Sequence, residues 1–191
     1  DHTCAIDGSG GVRCWGTGPL RWSDAGVTTT TETTPVTLDL PSATKIALGY
    51  RTACAVVGDD VSCWGDNTNG QIGPLTETFR GPQRLSLPSG AAVRAMDVGS
   101  ATFVLREDGS LVTWGANPGI GRVSPSFPDP QPRLVALEGV TTTDLAYDNG
   151  CATANGVGYC WGARVNTKKG TVLDRALPAP VIAPEPLAQI A

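Results

Sequence analysis

Six cysteines are the residues of this sequence whose type and spacing could do chemistry. They form three close pairs, with members ten, nine and nine residues apart: Cys4 with Cys14, Cys54 with Cys63, and Cys151 with Cys160. Zinc sites use closely spaced Cys-x-x-Cys or Cys/His sets, and the sequence contains none. Three matched pairs of free thiols would be a coincidence. We therefore predict one disulfide within each pair.

The geometry of a β-hairpin explains why these cysteines would pair. Polar, glycine-containing turns separate the two members of each pair, and such turns join antiparallel strands. Directly opposite residues of antiparallel strands approach to the distance that a disulfide needs. Disulfides persist in oxidising compartments, so we expect a secreted, periplasmic or cell-surface protein.

Little else in the sequence favours catalysis, a metal or a polyanionic partner. His2 is the single histidine, and we predict no catalytic residue, no metal site and no cofactor. The chain has 14 Lys and Arg against 18 Asp and Glu, a net charge of −4, so nucleic acid is not an expected partner. No apolar run approaches the roughly 18 residues of a membrane span, so membrane insertion is not expected either.

A repeat organises all of these residues. Four Trp-Gly pairs follow one another at steps of 49, 50 and 47 residues, beginning at Trp15, Trp64, Trp114 and Trp161. Each follows a hairpin, and each unit holds four short strands with period-two alternation. Four-stranded units at this period are typical of β-propeller blades, although a two-sheet sandwich is the alternative. We predict an all-β propeller of four-stranded antiparallel blades in one domain, with repeat units at about 1–44, 45–94, 95–143 and 144–191.

Three segments carry a family resemblance: His2–Ala5, Cys63–Asn67 and Asn69–Gly73. They are similar to the repeat of the regulator-of-chromosome-condensation family, and most of all to its bacterial branch with paired cysteines, often labelled alpha-tubulin-suppressor-like. The resemblance implies a β-propeller that serves as a binding platform. It does not imply one activity, because the family includes a nucleotide-exchange factor, kinase-linked modules and a secreted bacterial β-lactamase inhibitor.

The first and last units predict how the blades close. The first unit starts at its second strand, and 187–191 resembles the first strand of the other units. We therefore expect 187–191 to pair with Thr3–Ile6 and complete the first blade, within one chain or by self-association of two copies. Family rings usually have seven blades, and this chain supplies four.

Long connections after each Trp-Gly (17–34, 66–81, 116–131 and 163–177) predict the functional face. Loops on a rigid scaffold usually carry function, and aromatic and arginine side chains anchor protein interfaces. The residues of this kind on the predicted face are Trp22, Arg21, Tyr50, Phe79, Arg80 and Phe127. We predict a secreted or surface-exposed protein-binding module, not an enzyme, that recognises a protein partner through these residues.

Two other functions fit the sequence less well. A glycan-acting enzyme on a propeller would need two carboxylates at the central channel. The predicted inner strands offer Asp97 and Asp144, at unmatched places in their strands. A structural segment of a larger surface protein is the other alternative. Nucleotide exchange, known in the family, does not agree with an oxidising compartment.

Overall fold

The computed structural model of the chain describes residues 2–23, 26–74, 77–163 and 175–190, and it is built from antiparallel β-sheets. The strands are β1 His2–Ile6, β2 Val12–Ser23, β3 Gly26–Thr37, β4 Lys45–Leu48, β5 Thr52–Val57, β6 Asp60–Asp66, β7 Phe79–Leu85, β8 Val93–Val98, β9 Ala101–Arg106, β10 Leu111–Gly115, β11 Asp129–Leu134, β12 Val140–Ala146, β13 Asn149–Ala154, β14 Val157–Gly162 and β15 Ala179–Pro180.

Four sheets follow one another along the chain, as the repeat predicts. The first contains β1, β2 and β3, and the other three contain β4 to β7, β8 to β11 and β12 to β15, each in sequence order. Strand β4 lies against β1 and β8, and β8 lies against β12, so these inner strands line the axis around which the blades turn. The predicted propeller architecture is confirmed.

Each Trp-Gly lies in the strand next to the outer strand of its blade, and in the first three blades it forms a bulge there. Gly16, Gly65, Gly115 and Gly162 have φ between 95° and 119°, a backbone conformation that strongly favours glycine. The register with the outer strand shifts at this glycine in the first three blades. A Cβ on Gly65 would lie 2.1 Å from the Arg51 carbonyl oxygen. Glycine is therefore required where the strand bends past the neighbouring turn.

The tryptophans join each blade to the preceding one. Trp64, Trp114 and Trp161 are fully buried. The Trp114 Nε1–H donates to the Gln71 carbonyl at 2.8 Å, and the Trp161 Nε1–H donates to the Gly119 carbonyl at 2.8 Å. Both acceptors lie in the connection that follows the Trp-Gly of the blade before. A buried indole N–H needs such a partner, so these bonds determine how neighbouring blades dock.

That connection is itself folded around Asn67. The Asn67 side chain donates to the Gly73 carbonyl at 3.2 Å and accepts from the Ile72 N–H at 3.0 Å. The Gln71 carbonyl also accepts from the Thr102 hydroxyl of the next blade at 2.9 Å. The Asn-x-x-Gly-Gln-x-Gly run therefore presents a backbone acceptor to the following blade.

The first blade departs from the prediction. Residues 17–34 were expected to form a loop. The described residues of this segment, 17–23 and 26–34, instead belong to β2 and β3, which pair as a long two-stranded ribbon, called here the ribbon. Among the described residues no acceptor reaches Trp64 Nε1. The Trp22 ring packs on Trp64 instead, with centroids 6.0 Å apart. β-Branched threonines favour an extended strand, which explains why this segment forms a ribbon.

All three predicted disulfides are confirmed. Cys4 faces Cys14, Cys54 faces Cys63 and Cys151 faces Cys160 in the strand register, each pair with Cα atoms 4.1 Å apart. The third blade has Phe103 opposite Thr113 at this place. There the Phe103 ring packs on Trp161, with centroids 5.7 Å apart. In the third blade, apolar packing therefore occupies the position at which the other three blades have a disulfide.

The prediction that the end of this chain pairs with β1 and completes the first blade within one chain was wrong. In the structure the first blade has three strands, and residues 187–190 form no strand with β1; Ala191 lies outside the described residues. The Leu187 N–H donates to the Gly156 carbonyl at 2.7 Å, and the Leu187 side chain lies over Gly158 of the fourth blade. Prolines at 180, 184 and 186 lack N–H donors and break up strand pairing before this point.

The interblade bonds predict a difference between tryptophans of the same size. Trp114→Phe and Trp161→Phe remove a buried hydrogen bond, whereas Trp64→Phe removes an indole N–H that has no acceptor among the described residues. All three lose similar volume. We expect the first two variants to lose about 1 kcal/mol more free energy of unfolding than Trp64→Phe, measured by urea denaturation. Equal losses in all three would contradict this role of the indole N–H.

Candidate functional site

Three turns at equivalent repeat positions form a cleft on the face that carries the long connections. Thr52, Ala101 and Asn149 each pair with the Trp-Gly glycine of their blade. The residues two places earlier are Tyr50, Gly99 and Tyr147. The structure brings these three turns together at the inner end of adjacent blades.

The cleft has a volume of about 600 Å³, and two tyrosines are among the residues that line it. Tyr50 is 79% exposed and Tyr147 is 81% exposed. Glycine at position 99 leaves the space between them without a side chain. The remaining lining residues are Arg51, Thr52, Asp66, Asn69, Gln71, Ser100 and Ala146. The cleft could therefore accept a large apolar or aromatic group between two aromatic walls.

Contacts between blades hold the tyrosine at the fourth blade in place. The Ser100 hydroxyl of the third blade donates to the Tyr147 carbonyl. Tyr147 itself has a φ of 54°, the left-handed region that non-glycine residues rarely adopt. Such strain persists only where surrounding contacts enforce it, and it concentrates at functional sites.

Arg51 shapes the opposite side of the cleft. Its guanidinium lies over the Phe79 ring, 5.0 Å from the centroid, an attractive cation–π arrangement. Its carbonyl accepts from the Asp66 N–H at 2.8 Å. The Asp66 carboxylate accepts from the Thr68 N–H at 2.8 Å and from the Thr68 hydroxyl at 2.5 Å. These bonds tie the Tyr50 turn to the connection after the second Trp-Gly.

The predicted contact residues divide between this cleft and a second hollow. Tyr50 lines the cleft, and Phe79 lies at its edge beneath Arg51. Trp22 and Arg80 line a hollow of about 530 Å³ between the ribbon and β7. Trp22 is half-buried against Trp64 and is largely a packing residue, while Arg80 is exposed and pairs with Glu77 at 2.5 Å.

Arg21 and Phe127 contribute to neither hollow. The Arg21 guanidinium is paired with the Glu32 carboxylate at 2.9 Å across the ribbon. Phe127 is 62% exposed in the connection after the third Trp-Gly. Tyr147 and Arg51, which do line the cleft, were absent from the sequence prediction. Alignment of the repeats would have found Tyr147, because it occupies the same repeat position as Tyr50.

His2 is not among the residues that line the cleft. The His2 ring lies over Gly18 of the ribbon, and burial lowers its pKa. Across the described ranges, no three His, Cys, Asp or Glu side chains group closely enough to hold a metal ion. No helix there has the length and apolar character needed to cross a membrane.

The prediction that Asp97 and Asp144 occupy unmatched places was wrong. Asp97 faces Phe103 and Asp144 faces Cys151, the same register position in adjacent inner strands. Burial raises the pKa of Asp97, and the nearby Asp144 carboxylate raises it further, although the hydrogen bond donated by Thr143 opposes this. Sequence spacing missed the match because the turn after β8 is one residue shorter than the turn after β12: three residues separate the paired Val98 and Thr102, whereas four separate the equivalent pair Leu145 and Gly150.

The raised pKa of Asp97 predicts a pH dependence of stability. The folded protein holds this proton more tightly than the unfolded chain, so the free energy of unfolding falls as pH rises from the unfolded-state pKa through the folded-state pKa. Asp97→Asn should raise the melting temperature above that window and lose this advantage below it. Asp59→Asn, an exposed turn residue, is the matched control. A parallel pH profile for wild type and Asp97→Asn would contradict the assignment.

Comparison with known proteins agrees with the fold. Residues 43–71 match the family model described as regulator of chromosome condensation (RCC1) repeat. Yeast RCC1 (Prp20), solved with Kap60 bound, superposes with a TM-score of 0.78 at 22% identity, over 96% of this chain and 47% of that one. Human WBSCR16 gives 0.73 at 20% identity, over 99% and 52%. Prp20p from Saccharomyces cerevisiae gives 0.62 at 18%, over 96% and 62%.

The predicted resemblance to the RCC1 repeat is thereby confirmed at the second blade, and the propeller fold is confirmed for the described chain. This chain spans about half the length of the first two of these propellers.

Proposed function

We propose that this chain, with an RCC1 repeat in its second blade and the fold of RCC1 propellers, is a protein-binding module that acts through the Tyr50–Tyr147 cleft. The observation that supports this most is the pair of highly exposed tyrosines at one repeat position. Exposed tyrosines that line the same cleft are suited to anchoring an inserted side chain, because they offer large, rigid apolar area.

The construction of the cleft favours a preorganised binding surface. The Ser100 hydroxyl joins the third blade to the Tyr147 carbonyl of the fourth, and the Asp66 N–H donates to the Arg51 carbonyl within the second blade. A rigid site loses less conformational entropy when a partner binds. Arg51 adds a cationic group beside the aromatic walls, a composition typical of interface centres.

The chemistry of the lining favours binding over catalysis. Among the described residues that line the cleft, Asp66 is the carboxylate, and its Oδ1 accepts two hydrogen bonds from Thr68. A glycan-cleaving site would need two carboxyl groups converging on the substrate. The Asp97–Asp144 pair lies on the inner strands, outside this lining.

Two of the similar structures belong to proteins that were studied with protein partners. Yeast RCC1 (Prp20) was solved with Kap60 bound, and Prp20p was studied for binding to Gsp1p and histones. For this chain we propose only that the partner is a protein, and we do not propose any of these particular partners. Trp22, Arg21, Arg80 and Phe127 remain proposed contacts outside the cleft.

Selection of displayed peptides on the immobilised protein tests the cleft. Peptides that bind wild type should lose about 10-fold or more in affinity with Tyr50→Ala and with Tyr147→Ala, measured by calorimetry. Both side chains are exposed, so the melting temperature should change little. Leu134→Ala is the matched control, an exposed apolar residue of β11 outside the cleft.

Other outcomes would overturn the proposal. Peptides insensitive to both tyrosine variants would place the site elsewhere, and equal loss in Phe127→Ala would move it to the third connection. Binding on a glycan array that depends on Tyr50, with no peptide ligand recovered, would identify a carbohydrate-binding site instead.

We also propose that the protein works in an oxidising compartment, as a secreted, periplasmic or surface protein. The support is three disulfides across hairpins. Each closes a loop of about ten residues, which contributes about 2.7 kcal/mol in the chain-entropy model. Protein taken from its own host under alkylating conditions should carry no alkylated thiol, and should gain six hydrogens on reduction. Alkylation before reduction would contradict this location.

A further inference from the structure

The outer edge of the first blade differs from the outer edges of the other three. In each sheet the last strand in sequence lies at the outer edge. Strand β7 contains Pro82 between Arg80 and Arg84, β11 contains Pro130 and Pro132, and β15 is two residues long and ends in proline. Prolines, exposed charges and short length are the devices by which proteins prevent another strand from adding to an edge.

Strand β3 has none of these devices along most of its length. It runs for 12 residues, and its single proline, Pro35, lies near its end. The segment Thr28–Thr34 contains six threonines and one glutamate. The threonines at 28, 29, 31, 33 and 34 are all exposed. Among the described residues, no strand pairs with β3 on the side away from β2. This edge therefore presents unpaired backbone N–H and C=O groups in a sequence of high β-propensity.

The ribbon holds this edge in a fixed, extended form. Strands β2 and β3 pair from Arg13–Thr37 to Ser23–Gly26. At the distal end, Trp22 and Val27 lie against Gly81 of the second blade through their side chains. The Thr17 and Thr31 hydroxyls are 2.8 Å apart across the ribbon. A partner strand would thus meet a preformed edge and not a mobile loop.

We infer that the Thr28–Thr34 edge pairs antiparallel with the same edge of a second copy of this chain. A two-fold axis at Thr31 would place Thr31 opposite Thr31, Thr29 opposite Thr33 and Thr28 opposite Thr34. Cross-strand threonine pairs of this kind are favourable. The one charge of the segment, Glu32, would face Thr30 and is already neutralised by Arg21 at 2.9 Å. The edge is therefore complementary to itself in charge and in side-chain type, as a two-fold interface requires.

This pairing would join two first blades into one continuous six-stranded sheet. It uses the ribbon and leaves the Tyr50–Tyr147 cleft outside the contact. The inference is therefore independent of the proposed protein-binding site, and each can fail without the other.

Introducing a charge at Thr31, the residue on the proposed two-fold axis, tests the inference. Wild type should show a concentration-dependent monomer–dimer equilibrium in sedimentation velocity. Thr31→Lys should weaken dimerisation by about 10-fold or more, because two lysines would face each other directly. Thr31→Glu should do the same. An equimolar mixture of Thr31→Lys and Thr31→Glu should recover dimers, seen as the heterodimer mass in native mass spectrometry.

Gln131→Lys in β11 is the matched control, an exposed residue on a proline-containing outer strand. It should dimerise as wild type does. Amide hydrogen exchange of the unmodified protein gives a second measurement, with 28–34 more protected at high than at low concentration and 79–85 unchanged. A wild type that stays monomeric at high concentration, a dimer indifferent to Thr31→Lys, or no recovery on mixing would each overturn the inference.

Discussion

The hydrogen bond from a buried indole N–H to a backbone carbonyl of the preceding blade is the interaction on which this structure depends. Trp114 and Trp161 each bury a large ring and need an acceptor for one polar atom. An acceptor in the neighbouring blade satisfies that atom only at one mutual orientation of the two blades. The glycine after each tryptophan is part of the same device, because its positive φ lets the strand bend past the adjacent turn.

The candidate site follows from this docking. Once the orientation of successive blades is fixed, the turns between first and second strands are carried to the same end of the sheets. Tyr50, Gly99 and Tyr147 then lie beside one another, with the Ser100 hydroxyl joining the third blade to the fourth. The cleft is thus a consequence of the repeat. Its chemistry depends on the residue type that each blade has at the repeat position of Tyr50, Gly99 and Tyr147.

The first blade shows what happens where the usual connection is absent. It has no Asn-x-x-Gly-Gln-x-Gly run to offer a carbonyl to Trp64, and the ribbon occupies that region with the Trp22 ring packed against Trp64 at a tilt of 55°. Aromatic packing takes the place of the interblade bond, and it leaves Trp22 half-buried. The ribbon that replaces the usual connection also gives the first blade a long outer strand, β3. Unlike the outer strands of the other blades, β3 has no proline among its central residues.

The sequence by itself determined the blade architecture and the three disulfides, because both follow from local spacing: Trp-Gly recurs at one period, and each cysteine pair spans one hairpin. Tertiary structure decided the rest. The ribbon of β2 and β3 depended on packing against Trp64, and Tyr147 joined Tyr50 only when separate turns converged. Asp97 and Asp144 matched only once the different lengths of the turns after β8 and β12 were included. The segment 187–190 packed on its own blade because prolines before it removed the donors that a closing strand needs.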